Sequence, residues 1–158
     1  MKQKRVWLMC GPPGAGKSTW AKRQLTVPSN IWHSRDVIRF LLVQEDEEYF
    51  SKETEVVNLW TEAINASIEH PAFTDIYVDA THLNPKARRK IINRLNLSDN
   101  ISLCAVNFLT SLDKCLQQNS QRIGREIVPE EVLKNMYNSF IPASKAEGFS
   151  TIINIGGE

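Results

Sequence analysis

The sequence predicts an α/β fold of three layers, in which helices cover both faces of a central parallel sheet. Short β-rich apolar runs alternate along the chain with longer segments of helical spacing. Strands that are separated by helices pair in parallel through right-handed crossovers. The 158 residues fit one domain of roughly 100–200 residues. We therefore predict a single domain over residues 1–158.

Five strands are predicted from the short apolar runs. The first follows the basic N-terminal residues and ends where Gly11 starts a glycine-rich loop. The third ends at Asp79 and is apolar along most of its length, which is typical of a strand buried on both faces. In order, the predicted strands are residues 5–10, 30–33, 74–79, 101–109 and 151–155.

Six helices are predicted from apolar periodicity and from capping signals. Val56 and Trp60 share one face of the third helix at helical spacing. Asn84 followed by Pro85 is typical of a helix start, because Asn caps well and Pro fits the first helical position. Ser111 is the predicted cap of the fifth helix. In order, the predicted helices are residues 17–25, 36–43, 52–69, 85–95, 112–120 and 129–140.

The charge of the chain is balanced overall but unevenly distributed. The net charge of +1 argues against a protein that binds nucleic acid by bulk charge alone. Residues 1–40 nevertheless hold eight basic and one acidic side chains, and residues 81–125 hold eight basic and two acidic ones. These two basic segments are also the ones that carry the motifs described below.

Apolar runs and cysteines indicate the compartment. The longest apolar run has five residues, 6–10, whereas a membrane span needs roughly 20, so no membrane partner is predicted. The run is also too short for a signal-peptide core. Cys10, Cys104 and Cys115 are odd in number and show no metal-ligand spacing. They indicate reduced thiols and a cytoplasmic location.

Residues 11–18 read GPPGAGKS and match the phosphate-binding pattern G-x-x-x-x-G-K-[S/T]. The pattern follows a predicted strand and opens a predicted helix, where glycines let backbone N–H groups turn towards a phosphate and the helix N-terminus adds positive potential. We predict that Lys17 bridges the β- and γ-phosphates of ATP and that the Ser18 hydroxyl binds Mg²⁺. The predicted nucleotide-binding residues are Gly11, Pro12, Pro13, Gly14, Ala15, Gly16, Lys17, Ser18 and Thr19.

Phosphoryl transfer to a hydroxyl fits this chain better than nucleotide hydrolysis. The third predicted strand ends at Asp79, which can hold a metal-bound water, but the next residue is Ala80. No base therefore stands beside Asp79 to orient an attacking water. No guanine-reading Asn-Lys-x-Asp motif occurs either. We predict Ser18 and Asp79 as the metal-site residues of a kinase.

The acceptor hydroxyl is expected at the end of the second predicted strand, where residues 33–39 read HSRDVIR. Parallel sheets bind ligands beyond the carboxyl ends of their strands, so Asp36 can take the proton of the hydroxyl there. Arg39, one turn later, would face the same cleft and hold an anionic group of the acceptor. The alternative is that Asp36 caps its helix and forms an exposed ion pair with Arg39.

A lid is predicted at about residues 118–130. Arg122 and Arg125 lie in a glycine-containing basic stretch between two predicted helices. We expect them to close over the triphosphate and to neutralise charge as the transition state forms. The alternative for either arginine is a solvated loop residue.

Together these motifs resemble those of the P-loop polynucleotide 5′-hydroxyl kinases. The similar stretches are GPPGAGKSTWA at residues 11–21, RDVIR at 35–39, DATHLNP at 79–85 with ARR at 87–89, and NSQR at 119–122 followed by VPEEVLKNMY at 128–137. The resemblance covers roughly residues 5–143. It implies a P-loop kinase fold, with a central parallel sheet in three layers and a helical lid.

The same resemblance implies roles for individual residues. Lys17 and Ser18 would bind the nucleotide phosphates and the metal, with ATP and Mg²⁺ as cofactors. Asp36 would be the general base, Arg39 would contact a phosphate of the acceptor, and Arg122 would be the lid arginine on the donor. The implied substrate is the 5′-hydroxyl end of a nucleic acid, DNA or RNA.

Three functions remain open on the sequence alone. The leading one is a polynucleotide 5′-hydroxyl kinase. The second is a P-loop kinase for a small-molecule hydroxyl on a nucleoside, a sugar or an antibiotic, since the same motifs serve those acceptors. The third is an ATP-binding module that transfers nothing. The number of subunits is not determined, and a homo-oligomer is left open.

Other basic and aromatic side chains are interpreted as structural. The basic helix at residues 85–94 is interpreted as an exposed helix face rather than a nucleic-acid contact. The four tryptophans are interpreted as core residues, because they lie in predicted strands or on apolar helix faces. They are Trp7, Trp20, Trp32 and Trp60.

Overall fold

The structure is a computed structural model, which describes residues 3–157. Within that range five strands form one sheet, and every neighbouring pair is parallel. Their order across the sheet is β2-β3-β1-β4-β5. The strands are β1 (Lys4–Cys10), β2 (Asn30–Ser34), β3 (Asp75–Asp79), β4 (Ile101–Leu109) and β5 (Thr151–Gly156).

Six α-helices occur in the same residues and match the predicted ones closely. Two short 3-10 turns, at Gly124–Glu126 and Lys145–Glu147, were not predicted. None of the helices in residues 3–157 is long and apolar enough to cross a membrane. The helices are α1 (Lys17–Gln24), α2 (Arg35–Leu42), α3 (Glu53–Glu69), α4 (Pro85–Ile92), α5 (Leu112–Ser120) and α6 (Glu130–Ser139).

Helices cover both faces of the sheet. On one face, α3 and α4 bury Trp60 and Ile91 against the central strands. On the other face, α1, α5 and α6 bury Ala21, Cys115 and Leu133. Burying one such large apolar side chain contributes roughly 1.5–3 kcal/mol. The predicted three-layer α/β fold with a central parallel sheet is confirmed.

Two helix ends differ from the prediction. The hydroxyl of Ser34, not the carboxylate of Asp36, caps α2, because Ser34 Oγ accepts from the Val37 N–H at 3.3 Å. The alternative that Asp36 is a helix cap is therefore wrong. Helix α4 ends at Ile92 instead of residue 95, because the chain tightens into three-residue turns, with Arg94 N–H donating to the Ile91 carbonyl at 2.9 Å.

The basic helix α4 is only partly exposed, which corrects its interpretation as an exposed face. Arg88 is fully buried. Its Nε and Nη2 donate to the Glu147 carboxylate at 2.8 and 3.0 Å, and its Nη1 donates to the His82 carbonyl at 2.7 Å. The guanidinium thereby links α4 to the Lys145–Glu147 turn, whereas its neighbours Arg89 and Lys90 are exposed.

His82 lies buried at the start of the connection from β3 to α4. Its Nδ1 is 2.6 Å from the Met9 carbonyl oxygen, and its ring stacks on Trp60 with 6.0 Å between centroids. Its φ of +44° lies in the left-handed region. Burial, reinforced by the positive charges of Arg35 and Lys17, lowers the pKa of His82 to about 3. The imidazole is therefore neutral in the folded protein.

We expect the free energy of unfolding to decrease by about 2 kcal/mol between pH 6.5 and pH 5 on account of His82. The unfolded chain binds a proton at this side chain below its ordinary pKa of 6.5, whereas the folded protein does not until about pH 3. The substitution His82→Asn keeps an N–H for the Met9 carbonyl and tolerates a positive φ. Denaturant unfolding at several pH values should show a flatter pH dependence for this variant. An unchanged pH dependence would contradict the assignment.

Candidate active site

The glycine-rich loop, residues 11–16, connects β1 to α1 at the carboxyl edge of the sheet. Gly14 has a φ of +79°, and a Cβ there would lie 2.3 Å from the Cys115 carbonyl oxygen of α5, so only glycine fits. Within residues 13–20, which the structure describes in full, only the backbone N–H groups of Ala15 and Trp20 have an internal acceptor. The other N–H groups are free to bind a phosphate.

Side chains that the motif does not include hold the loop in place. Gln118 Nε2 donates to the Gly14 carbonyl at 2.6 Å, and Thr110 Oγ1 donates to the Ala15 carbonyl at 2.8 Å. Of the predicted nucleotide-binding residues, Gly11, Pro12 and Ala15 are buried behind the loop surface. The remaining six line the cleft in front of it.

Lys17 is buried at the start of α1, with its side chain folded back over the loop. Its Nζ donates to the carbonyls of Gly11 and Pro12 at 2.9 and 3.0 Å. Burial lowers the pKa of Lys17, the charge of Arg122 lowers it further, and the carboxylate of Asp79 opposes both. A nucleotide phosphate would compensate the buried ammonium, which is the role that the motif predicts for it.

Asp79, the last residue of β3, accepts hydrogen bonds from Ser18 of α1, the helix after β1, and from Trp32 of β2. Ser18 Oγ donates to Asp79 Oδ2 at 3.2 Å, and Trp32 Nε1 donates to the same oxygen at 2.9 Å. Burial raises the pKa of Asp79, while the charge of Lys17 and these hydrogen bonds lower it. Trp32, interpreted as a core residue, lines the cleft and orients this carboxylate.

The Ser18 and Asp79 oxygens fit a magnesium site. Mg²⁺ prefers hard oxygen ligands and usually takes one or two from the protein, with the remainder from substrate phosphates and water. A hydroxyl and a carboxylate side by side next to a phosphate-binding loop provide that donor set. The predicted metal residues are therefore adjacent in the structure, and their role as ligands stays a prediction.

Asp36 and Arg39 lie next to each other at the start of α2. Arg39 Nη1 donates to Asp36 Oδ1 and, at 3.1 Å, to the Tyr49 hydroxyl. Its Nε and Nη2 bind both oxygens of Glu53 at 2.7 to 3.1 Å. Arg39 is only 2% exposed, whereas the Asp36 side chain is 53% exposed. The pair is thus not the exposed ion pair of the alternative interpretation.

Both residues line the cleft, as predicted, but their availability differs. The Asp36 carboxylate keeps one oxygen without an internal hydrogen bond among the described residues. The guanidinium of Arg39, in contrast, is occupied by Glu53, Asp36 and Tyr49. The predicted contact of Arg39 with an acceptor phosphate stays a prediction. In the structure, all three guanidinium nitrogens of Arg39 already donate hydrogen bonds to protein groups.

The predicted lid arginines have different surroundings. Arg122 lines the cleft and makes one bond, from Nη1 to the Glu126 carbonyl at 3.2 Å. Arg125 Nη2 donates to the Phe40 carbonyl at 2.8 Å, Nη1 donates to the Val43 carbonyl, and the guanidinium lies 4.9 Å from the Phe40 ring centroid. Arg125 thus attaches the segment to the end of α2, where free carbonyls attract a cation.

The sequence analysis missed Arg35 and an aromatic cluster. Arg35, the first residue of α2, lines the cleft with its Nε buried and without a hydrogen-bond partner in residues 3–157. Phe40, Tyr49 and Phe50 form a chain of edge-to-face contacts with centroid distances of 6.1 and 4.7 Å. The stretch at 45–50, EDEEYF, contains two adjacent aromatic residues, which were the available signal in the sequence.

One cleft of about 740 Å³ contains both groups of residues. The loop follows β1 and Asp36 follows β2, with β3 between them. Because β1 and β2 are two strand spacings apart, the end of β1 that leads into the loop and the end of β2 that leads to Asp36 lie about 10 Å apart across the sheet. This leaves room between them for a terminal phosphate and an attacking hydroxyl.

A family model described as an AAA domain matches residues 6–143, most of the chain. The chain belongs to this family. The match includes the glycine-rich loop, Asp36, Asp79 and both predicted lid arginines. A sequence search among curated proteins finds no match.

Solved structures share the fold at low sequence identity. A fungal RNA kinase matches with a TM-score of 0.67 and 16% identity, over 98% of this chain and 38% of that chain. A chain in the Pnkp1/Rnl/Hen1 RNA repair complex gives 0.71 and 13%, over 88% and 44%. A gluconokinase from Sinorhizobium meliloti 1021 gives 0.58 and 13%, over 100% and 86%.

This chain therefore spans less than half the length of the two RNA-related structures. The predicted resemblance to polynucleotide kinases is confirmed at the level of the fold and the P-loop kinase domain. A fungal RNA kinase and a gluconokinase both share that fold, so the fold does not determine the acceptor.

We expect Lys17→Met to weaken ATP binding roughly 10- to 100-fold, because a charge-assisted contact with the phosphates is lost. The melting temperature should stay within about 4 °C of the parent protein, since the substitution keeps the apolar stem and removes a buried charge. Titration calorimetry with ATP and a thermal melt measure the two effects. Lys114→Met, which removes an exposed charge from α5, is the control, and equal ATP affinity in all three proteins would refute the role.

Proposed function

We propose that this protein is an ATP- and Mg²⁺-dependent kinase that transfers the γ-phosphate to the 5′-hydroxyl of a polynucleotide, DNA or RNA. The observation that carries the proposal is the make-up of the cleft beside Asp36. The half-exposed Asp36 carboxylate lines the cleft together with the aromatic cluster and with Arg35, which has no carboxylate partner within residues 3–157. A hydroxyl, a base and a phosphate of one nucleotide are the groups that such a surface accommodates.

The loop, Lys17, Ser18 and Asp79 form the donor half of the cleft. Backbone N–H groups of the loop and the Lys17 ammonium bind the phosphates of ATP, which supplies the transferable phosphoryl group. Ser18 and Asp79 hold Mg²⁺, whose charge offsets that of the phosphates. Arg122, whose positive charge already acts on Lys17, neutralises charge on the phosphoryl group during transfer.

Asp36 is the general base of the acceptor half. Its carboxylate accepts hydrogen bonds from Arg39 and, at 3.4 Å, from the Tyr49 hydroxyl, both on Oδ1. These contacts orient the carboxylate and leave the other oxygen for the acceptor hydroxyl. The proton of that hydroxyl passes to Asp36 as its oxygen bonds to the γ-phosphorus of ATP. The bond between that phosphorus and the oxygen that bridges to the β-phosphate breaks, and ADP leaves.

Aromatic surface next to Asp36 favours an acceptor with a base. The Tyr49 and Phe50 rings lie 4.7 Å apart, and Phe50 is 59% exposed although it lines the cleft. Val132 and Met136 of α6 lie on the cleft as well. Nucleobases stack on aromatic side chains, at roughly 1–3 kcal/mol per base. A polyol offers no flat face for this contact.

A small-molecule hydroxyl kinase, for a nucleoside, sugar or antibiotic, is the second candidate. The likeness that favours it is the gluconokinase, whose fold matches over the whole of this chain. A nucleoside would use the same aromatic surface, whereas a sugar would leave it without a partner.

The cysteines support a cytoplasmic location for the proposed kinase. Cys10, Cys104 and Cys115 are all buried and free. Burial raises the pKa of each thiol, that of Cys10 to about 12. Such thiols are protonated, unreactive and compatible with a reducing compartment.

The acceptor is tested by labelled-phosphate transfer from ATP to a panel of hydroxyl compounds. We expect transfer to 5′-hydroxyl oligonucleotides with a higher kcat/KM than to nucleosides, and none above background to gluconate or hexoses. The acceptor KM for an oligonucleotide should rise with salt, because binding its phosphates releases counterions. Transfer to a sugar in preference to every oligonucleotide would support the second candidate instead.

We expect Asp36→Asn to lower kcat for the best acceptor by roughly 10²- to 10⁴-fold, because the amide cannot take the proton of the hydroxyl. ATP affinity should change little, since Asp36 belongs to the acceptor half. Asp113→Asn, an exposed substitution at the first turn of α5, is the matched control. A kcat in Asp36→Asn within threefold of the control would exclude Asp36 as the base.

A further inference from the structure

The lid segment, residues 121–127, leaves the body of the domain and returns to it at one buried asparagine. Asn119 donates from Nδ2 to the Val128 carbonyl at 2.7 Å and accepts from the Val128 N–H at 3.0 Å. These two hydrogen bonds close the base of the segment. At its tip, the large apolar side chain of Ile123 is 83% exposed. Packing of this side chain therefore does not hold the tip in place.

Arg125 holds the tip instead, by binding the end of α2. Its Nη2 donates to the Phe40 carbonyl at 2.8 Å, its Nη1 donates to the Val43 carbonyl, and the guanidinium carbon lies 4.9 Å from the Phe40 ring centroid. Within residues 3–157, these are the only hydrogen bonds that join the lid segment to any element other than α5. A single side chain thus attaches the lid segment to the acceptor half of the cleft.

The end of α2 is suited to receive a cation. The last carbonyls of a helix lack intrahelical donors and carry partial negative charge. The Gln44 N–H, which would reach the Phe40 carbonyl if the helix continued, donates to Glu47 Oε2 at 3.3 Å. This bond lowers the pKa of Glu47, and the positive charge of Arg125 lowers it further. The acidic stretch EDEE after α2 therefore adds negative charge beside Arg125.

The lid segment extends along the cleft from the phosphate-binding loop to α2. It follows α5, whose Gln118 binds the Gly14 carbonyl of the loop at 2.6 Å. Arg122 and Glu126 line the cleft between that point and the attachment of Arg125. A segment fixed at both ends in this way restricts access to the space in which the phosphates of ATP would lie.

We propose that Arg125 is a positioning residue, a latch that fastens the lid segment to α2 and has to open before ATP can enter or leave. This inference rests on the ATP binding of the proposed function and on no choice of acceptor. It gives Arg125 a role different from the predicted contact with the triphosphate. Opening and closing of such segments controls nucleotide exchange in many enzymes.

The experiment observes the lid segment directly and through the rates of nucleotide binding. Hydrogen–deuterium exchange of the protein without nucleotide reports on the amides of residues 121–127. Stopped-flow fluorescence with N-methylanthraniloyl-ATP and Mg²⁺ gives the association and dissociation rate constants. The variants are Arg125→Gln, Phe40→Leu and the two combined. The matched controls are Arg89→Gln, an exposed arginine of α4, and Leu41→Ala, a residue of α2 that is 75% exposed.

We expect Arg125→Gln to raise exchange in the lid segment and the dissociation rate constant roughly 10- to 100-fold, because two charge-assisted hydrogen bonds are lost. The association rate constant should also rise, since a larger fraction of the protein is open.

Phe40→Leu should raise the dissociation rate constant roughly two- to fivefold through loss of the cation–π contact, although Phe40 lies in the acceptor half. The double variant should match Arg125→Gln, because one contact can be lost only once. Melting temperatures should stay within about 4 °C of the controls.

Other outcomes overturn the latch. Faster dissociation in Arg125→Gln with unchanged exchange and an unchanged or lower association rate constant would assign Arg125 to the phosphates of ATP. Additive effects of the Arg125 and Phe40 substitutions would exclude their contact as the cause. Exchange and rates within twofold of Arg89→Gln would leave Arg125 without this role. If the parent does not bind the ATP analogue, the proposed function fails, and the exchange measurement still decides whether Arg125 holds the segment.

Discussion

The two hydrogen bonds accepted by Asp79 determine how the parts of the cleft are placed. Asp79 ends β3, which lies between β1 and β2, and its Oδ2 accepts from Ser18 after β1 and from Trp32 in β2. A carboxylate buried there has to be hydrogen-bonded, because an unpaired buried charge is strongly destabilising. The phosphate-binding loop and the start of α2 are therefore fixed relative to one another across the middle strand.

In the proposed function, this arrangement separates the cleft into a donor and an acceptor half. The loop, Lys17 and Arg122 surround the space after β1, and Asp36, Arg35 and the aromatic cluster surround the space after β2. The spacing between the halves is set by the sheet and is independent of the acceptor. A fungal RNA kinase and a gluconokinase both match this fold, which is expected because function depends on the residues of a site and not on the fold that carries them.

Arg35 and Arg39 of α2 and Arg88 of α4 show how the partners of an arginine, rather than its charge, determine its role. Arg88 and Arg39 are buried and bound by carboxylates, so each stabilises local structure. Arg35 has the same chemistry but is only partly buried, and within residues 3–157 its guanidinium has no carboxylate partner. A guanidinium that is held on an aromatic ring and left without an acceptor destabilises the protein.

The sequence predicted the layers, all five strands and all six helices, because apolar periodicity and capping residues are local signals. It also predicted the loop, Asp36 and Asp79 as neighbours, because motif residues at the ends of parallel strands meet at one edge. It could not show that Arg39 is bound by Glu53, that Arg88 turns inward to Glu147, or that Arg35 has no hydrogen-bond partner in the part of the chain that the structure describes. Arg39 and Glu53 are 14 positions apart in the sequence, and Arg88 and Glu147 are 59 positions apart. Contacts over such separations form only in the packed tertiary structure, which therefore decides which side chains find a partner.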